Sequence, residues 1–138
     1  MIKYILKYLF LFLVGGICYF GIEILARGFS HWTMIVVGGI CFVLIGLLNE
    51  KMPKISLIKQ MIYSTILITV IEFVSGCILN LWLKLDIWDY SDNAFNLLGQ
   101  ICLSHTVYWF FLSVVGILLD DYLRYKIFQE EKPKYVLW

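Results

Sequence analysis

The sequence predicts an all-α membrane protein: four transmembrane helices, both termini on the cytoplasmic side, short extracytoplasmic loops and a cytoplasmic C-terminal helical tail. Three observations carry that prediction. First, 62% of the 138 residues are hydrophobic and only 15% are charged, against about 45–50% and about 25% in a soluble domain. With a mean hydropathy of +0.86, a chain this short has no interior large enough to hide the excess, and a bilayer must take it. Second, the apolar residues form four unbroken runs, each near the roughly 20 residues needed to cross about 30 Å of hydrocarbon, and none alternates as a barrel strand would. Third, the basic residues are lopsided. Lys3, Lys7, Lys51, Lys54, Lys59, Arg124, Lys126, Lys132 and Lys134 fall on one side of a four-span arrangement, and only Arg27 and Lys84 on the other. That bias puts both ends in the cytoplasm. The membrane domain covers residues 1–121, with spans at about 8–26, 32–48, 61–83 and 99–119, and an amphipathic tail covers 122–138.

The first run starts after Lys3 and Lys7, as a signal peptide would. No small-x-small cleavage site follows it, and it continues through Glu23 to Arg27, so a retained helix is expected. Glu23 lies four residues before Arg27, a spacing that lets the two pair along one helix face. The second run repeats the first run's V-G-G-I-C, at 14–18 and again at 37–41. Paired glycines let helix backbones approach closely, which predicts a packing seam between these helices. They lack the strand-turn-helix context of a phosphate loop.

The third run holds Glu72 near its midpoint with no basic residue within a turn. An ionisable group there costs about 2.5–3.5 kcal/mol on insertion scales. Thr65, Thr69, Glu72, Gly76 and Asn80 share one helix face, which should point into the bundle or a pocket. Such a carboxyl can carry a proton, bind a cation or hydrogen-bond a solute. The plainer alternative is a protonated Glu72 that serves only packing.

Between the third and fourth runs, Trp82, Trp88 and Tyr90 have the character of an interfacial aromatic belt. Asp86, Asp89, Ser91, Asp92, Asn93, Asn96 and Gln100 make the same stretch polar, and some of them should close local turns. Asn96 and Gln100 are spaced like one helix turn leading into the fourth span, so the segment is expected to dip inward and line a cavity mouth. In the fourth run His105, Trp109, Leu112, Gly116 and Asp120 share a face with Ser113 beside them. His105 is a candidate proton acceptor or partner for Glu72 or Glu23, against the simpler role of a locally hydrogen-bonded side chain. Asp120 and Asp121 are expected in solvent at the end of the span. In the tail, Tyr122, Leu123 and Ile127 are expected on the membrane surface, with Tyr135 and Trp138 as interfacial anchors.

Other classes find no support. No basic face interleaved with aromatics points to nucleic acid. Cys18, Cys41, Cys77 and Cys102 lie inside apolar runs without metal-ligand spacing and read as packing residues, with a Cys77–Cys102 disulfide as the alternative. Neither a metal nor a cofactor is expected.

Trp88, Asp89, Tyr90 and Ser91 spell W-D-Y-S. A spacer, then Phe95, Asn96, Leu97, Gly99, Ile101, Cys102, Leu103 and later Trp109 follow. Together with Glu23, Arg27, Gly28, Phe29 and Glu72, this pattern resembles the small bacterial ABC-transporter permease (type IV) family over nearly the whole chain. The sequence departs from that family at Ala94, where Pro is usual, and at Gln100, where a basic residue is frequent. It departs again after Arg-Gly-Phe, where S-H-W-T-M-I-V-V-G-G replaces a Gly-Pro and Pro-x-Tyr-Gly run. The resemblance implies a permease-like protein, not an enzyme, that binds or moves a small solute or ion. The expected site comprises Glu72, Glu23, Arg27, Trp88, Asp89, Tyr90, Ser91 and Asn96, with His105 and Trp109 beside them. A homo-oligomer is expected, since four such helices enclose little space. A cytoplasmic ATPase or other subunit is a further implied partner, because no P-loop is present. The alternatives are a passive pore of the holin or toxin type, a membrane-embedded enzyme using Asp89, Glu23 and His105, and an accessory subunit that binds through its tail.

Overall fold

A computed structural model describes residues 1–52 and 54–138; Pro53, read from the sequence as lying between the second and third runs, is outside the described residues. Four helices form the bundle: α1 (Ile2–Arg27), α2 (Thr33–Lys51), α3 (Leu57–Gly76) and α4 (Leu103–Lys126), and α3 runs on through π-helical turns to Trp82. All four are long and apolar enough to cross a membrane. Their outward-facing stripes carry large side chains such as Leu9, Leu13, Ile66, Val70 and Phe111, all exposed on the isolated chain.

Each helix ends where its backbone groups find other partners. Gly28, at φ 81°, closes α1 and donates its N–H to the Ile24 carbonyl at 2.8 Å. His31 Nδ1 accepts the Thr33 N–H at the start of α2. The Ser56 hydroxyl accepts the Lys59 N–H at the start of α3, and the next free donors there, Leu57 and Ile58 N–H, reach the Val136 and Leu137 carbonyls at 2.7 and 3.3 Å. The tail therefore folds back onto the bundle. The helix stops at Lys126, and Tyr135, expected as a membrane anchor, donates its hydroxyl to Asp121 Oδ2 at 2.7 Å. Trp138 stays 86% exposed.

The glycine repeat forms the α1–α2 contact. A Cβ on Gly38 would stand 2.6 Å from the Tyr19 Cβ, and one on Gly39 would stand 2.7 Å from the Phe12 carbonyl oxygen. Gly15 faces Phe42 in the same way. Only glycine lets the two backbones lie this close.

The fourth span corrects the expected start near residue 99. Residues 96–102 are a small antiparallel hairpin, β1 (Asn96–Leu97) against β2 (Ile101–Cys102), and helix begins only at Leu103. Phe95, Leu98 and Gly99 all have positive φ, which no right-handed helix admits. Asn96 and Gln100 are thus hairpin residues and not successive turns of a helix.

Asp120 and Asp121 are also corrected. Asp120 is 1% exposed and its carboxylate lies 2.9 Å from Arg124 Nε. Asp121 accepts from Asn49 and Tyr135. Arg124 reaches Glu50 at 2.9 Å, and Lys7 joins Glu50 and Glu130. Gly46 on α2 makes room for this cluster, because a Cβ there would meet Arg124 Nη2 and Asp120 Oδ1 at 2.7 Å. Charges on α1, α2, α4 and the tail thereby tie one end of the bundle together.

Candidate functional site

The opposite end is roofed by the segment between α3 and α4. Trp88 is only 8% exposed, so it is a core residue and not part of an interfacial belt; Trp82, at 75% exposed, remains at the surface. Trp88 packs with Ile87 and Met34, against Tyr19, Val37, Leu79 and Tyr90. Its indole N–H donates to the Gln100 carbonyl at 3.0 Å.

Gln100 is the centre of the roof. Its Oε1 accepts from Asn80 Nδ2 at 2.8 Å, and its Nε2 donates to the Leu98 carbonyl at 2.9 Å. The amide lies against Gly76, where a Cβ would be 2.5 Å from Gln100 Oε1. Asn80 Oδ1 accepts the Ile87 N–H at 2.7 Å, which fastens the loop after α3 to that helix's last turns. The π-helical turns there, Cys77–Trp82, are a geometry that often marks functional sites.

The W-D-Y-S residues now have distinct roles. Asp89 Oδ1 accepts the Ser91 N–H at 2.9 Å and the Ser91 hydroxyl. These bonds hold its exposed carboxyl below the usual range. The turn sits directly on Gly99, whose φ of 72° and lack of a side chain are both required, since a Cβ would stand 2.6 Å from Asp89 Oδ1 and from Ser91 Oγ. Tyr90 N–H donates to the Gly99 carbonyl at 2.7 Å. Asn96 closes the hairpin by donating to the Asn93 carbonyl at 2.8 Å and accepting the Gly99 N–H at 3.0 Å. Asp89, Ser91 and Asn96 therefore shape the roof, while Trp88 and Tyr90 face inward.

Beneath the roof lies a cavity of about 130 Å³ whose walls come from α1, α2, α3, α4 and the roof. Glu72 faces it and is 7% exposed. Tyr90 donates its hydroxyl to Glu72 Oε2, and Trp109 its indole N–H to Oε1, both at 3.1 Å. Burial, then the neighbouring Glu72, pushes the Tyr90 phenol well up, so it stays a donor. Glu23 lines the same cavity. Its Oε2 is 2.6 Å from Arg27 Nε, and its Oε1 accepts the Tyr19 hydroxyl at 2.7 Å. Arg27 also donates to the Ile87 carbonyl at 3.2 Å, which links α1 to the roof. Glu23 is thus compensated by a cation, whereas among the described residues Glu72 pairs with no basic side chain.

His105 is placed behind this site. Its Nδ1 lies 3.1 Å from Cys102 Sγ, and its ring stacks on Tyr90 with centroids 4.1 Å apart. It contacts neither acid directly and backs the Tyr90 ring. Cys77 and Cys102 are both free thiols. Tyr19 is missing from the residues expected at the site; its one readable signal is its position four residues before Glu23. Gly76 is expected on the inward face of Glu72 and Gln100 at a cavity mouth, but nothing local singles out their mutual contact.

Residues 5–137 match the model of the family described as "Putative ABC-transporter type IV". No curated protein and no solved structure matches the chain. The match covers nearly all of the bundle, the roof and the tail, and it agrees with the W-D-Y-S to I-C-L resemblance. Together with the four apolar helices, it makes this a transport-related membrane protein, and the chain belongs to the "Putative ABC-transporter type IV" family.

Proposed function

We propose that the protein is a permease-type carrier that binds a small solute or ion at Glu72, beneath the roof between α3 and α4 that includes residues 88–99. The observation that carries this reading is the Glu72 carboxyl. It is buried in a span, faces a cavity and is held by two neutral donors from different elements, Tyr90 and Trp109. A buried acid kept at a cost in hydrocarbon marks a solute or proton path by default. Both termini and the Lys7–Arg124 cluster lie on the cytoplasmic side in this reading, in keeping with the basic-residue bias. The roof is the extracytoplasmic gate, and a second copy or an ATPase subunit completes the assembly. A passive pore fits less well, because Trp88 and Tyr90 pack into the core at the roof end of the cavity.

The test is proton flux into proteoliposomes under an imposed pH gradient, read with an entrapped pH dye. Glu72→Gln keeps the shape and removes the titratable group. The expected slowing is about tenfold or more, the scale of one lost charge-assisted interaction. A measurable wild-type flux that Glu72→Gln leaves unchanged overturns the assignment.

A further inference from the structure

The cavity's lining narrows the ligand class, on the reading that Glu72 is the binding carboxyl. We infer that the site takes a small organic monocation, an ammonium bearing a few methyl or methylene groups. Charge is the first argument. Of the two acids that line the cavity, Glu23 is matched by Arg27 at 2.6 Å. Glu72 is met only by the neutral Tyr90 hydroxyl and Trp109 indole. No basic side chain lines the cavity among the described residues, so an ionised Glu72 gives it a net negative charge.

The aromatic walls are the second argument. Tyr19, Trp88, Tyr90 and Trp109 all line the same space. Aromatic faces attract cations, and desolvated cages of them are a known way to hold alkylammonium groups. The remaining wall is apolar, with Met34 and Val37 among its residues, and suits carbon better than a hydration shell.

Size and ligand chemistry are the third. A volume of about 130 Å³ is close to the roughly 150 Å³ that accommodates a six-carbon ring in an engineered apolar cavity. Hard metal cations ask for about six oxygen ligands, and no group of three or more His, Cys, Asp or Glu able to hold a metal occurs among the described residues.

The experiment uses the full chain in detergent micelles and follows tryptophan fluorescence, since Trp88 and Trp109 wall the site. Tetramethylammonium chloride is titrated against tert-butanol, a neutral body of similar size, and against potassium chloride, all at constant ionic strength. The expected result is a saturable change with tetramethylammonium alone, and an affinity about tenfold weaker or less in Glu72→Gln, as the loss of a charged partner implies. Equal binding of tert-butanol, equal affinity in Glu72→Gln, or no saturable response to tetramethylammonium overturns the inference. If Glu72→Gln does not fold, Trp109→Phe is used instead; weakened binding supports the cage and unchanged affinity overturns it. Proton flux that depends on Glu72 without tetramethylammonium binding sinks this inference and leaves the carrier reading standing. Ammonium binding that needs Glu72, with flux that does not, supports the site and sinks the carrier.

Discussion

The two ends of the bundle bury charge in opposite ways. At the end that carries both termini, Asp120 meets Arg124, Arg124 meets Glu50, and Lys7 bridges Glu50 and Glu130. Each of these ions has an ion for a neighbour, and the contacts join three helices to the tail, while Asp121 beside them is held by the neutral donors Asn49 and Tyr135. At the other end Glu72 has two neutral donors and a cavity. The first arrangement sets opposite charges from different elements against one another and serves as a clamp. The second satisfies the carboxyl's hydrogen bonds but sets no cation against it.

The comparison can be broken most forcefully at the clamp. Arg124→Ala leaves Asp120 buried and unpaired, and stability should fall by about 3–5 kcal/mol. Arg124→Leu combined with Asp120→Asn removes both charges and should cost far less. Reversible unfolding in mixed micelles measures both. A single substitution that costs no more than the double one would show that the cluster is not a clamp.

A second strike falls on the roof. Gly99→Ala forces a side chain into a left-handed backbone, at about 1–2 kcal/mol, and drives its Cβ against Asp89 and Ser91. The expected outcome is faster proteolysis of residues 88–99 and a red-shifted Trp88 emission, with the four helices retained. Unaltered proteolysis would mean that the W-D-Y-S turn does not depend on Gly99.

The smallest effect belongs to the tail. Tyr135→Phe deletes one hydrogen bond to Asp121, which keeps Asn49 as a donor. The loss should be about 1 kcal/mol, seen as a modestly lower midpoint in the same unfolding experiment. Tetramethylammonium binding at the far end should not change.

Much of this is legible in the amino-acid order. Continuous apolar length fixes a transmembrane helix because hydrocarbon leaves the backbone no other way to satisfy itself. The four spans could therefore be read directly, as could the i,i+4 pair of Glu23 and Arg27 and the inward polar face of Glu72. Hydropathy and spacing describe one segment at a time, so what depends on two segments meeting escaped them. Asp120 looked solvated because its only close countercharge on the helix, Arg124, gave no sign that α2 and the tail would cover both. Asn96 and Gln100 looked helical because nothing local announces left-handed Phe95 and Leu98, which tertiary contacts from Asn80, Gly76 and Trp88 sustain. The amino-acid order by itself determined the membrane, the helices and which acid is out of place. Only the tertiary structure decided that Glu50 meets Lys7 and Arg124 while Glu72 meets the neutral Tyr90 and Trp109, because that depends on long-range neighbours rather than on periodicity.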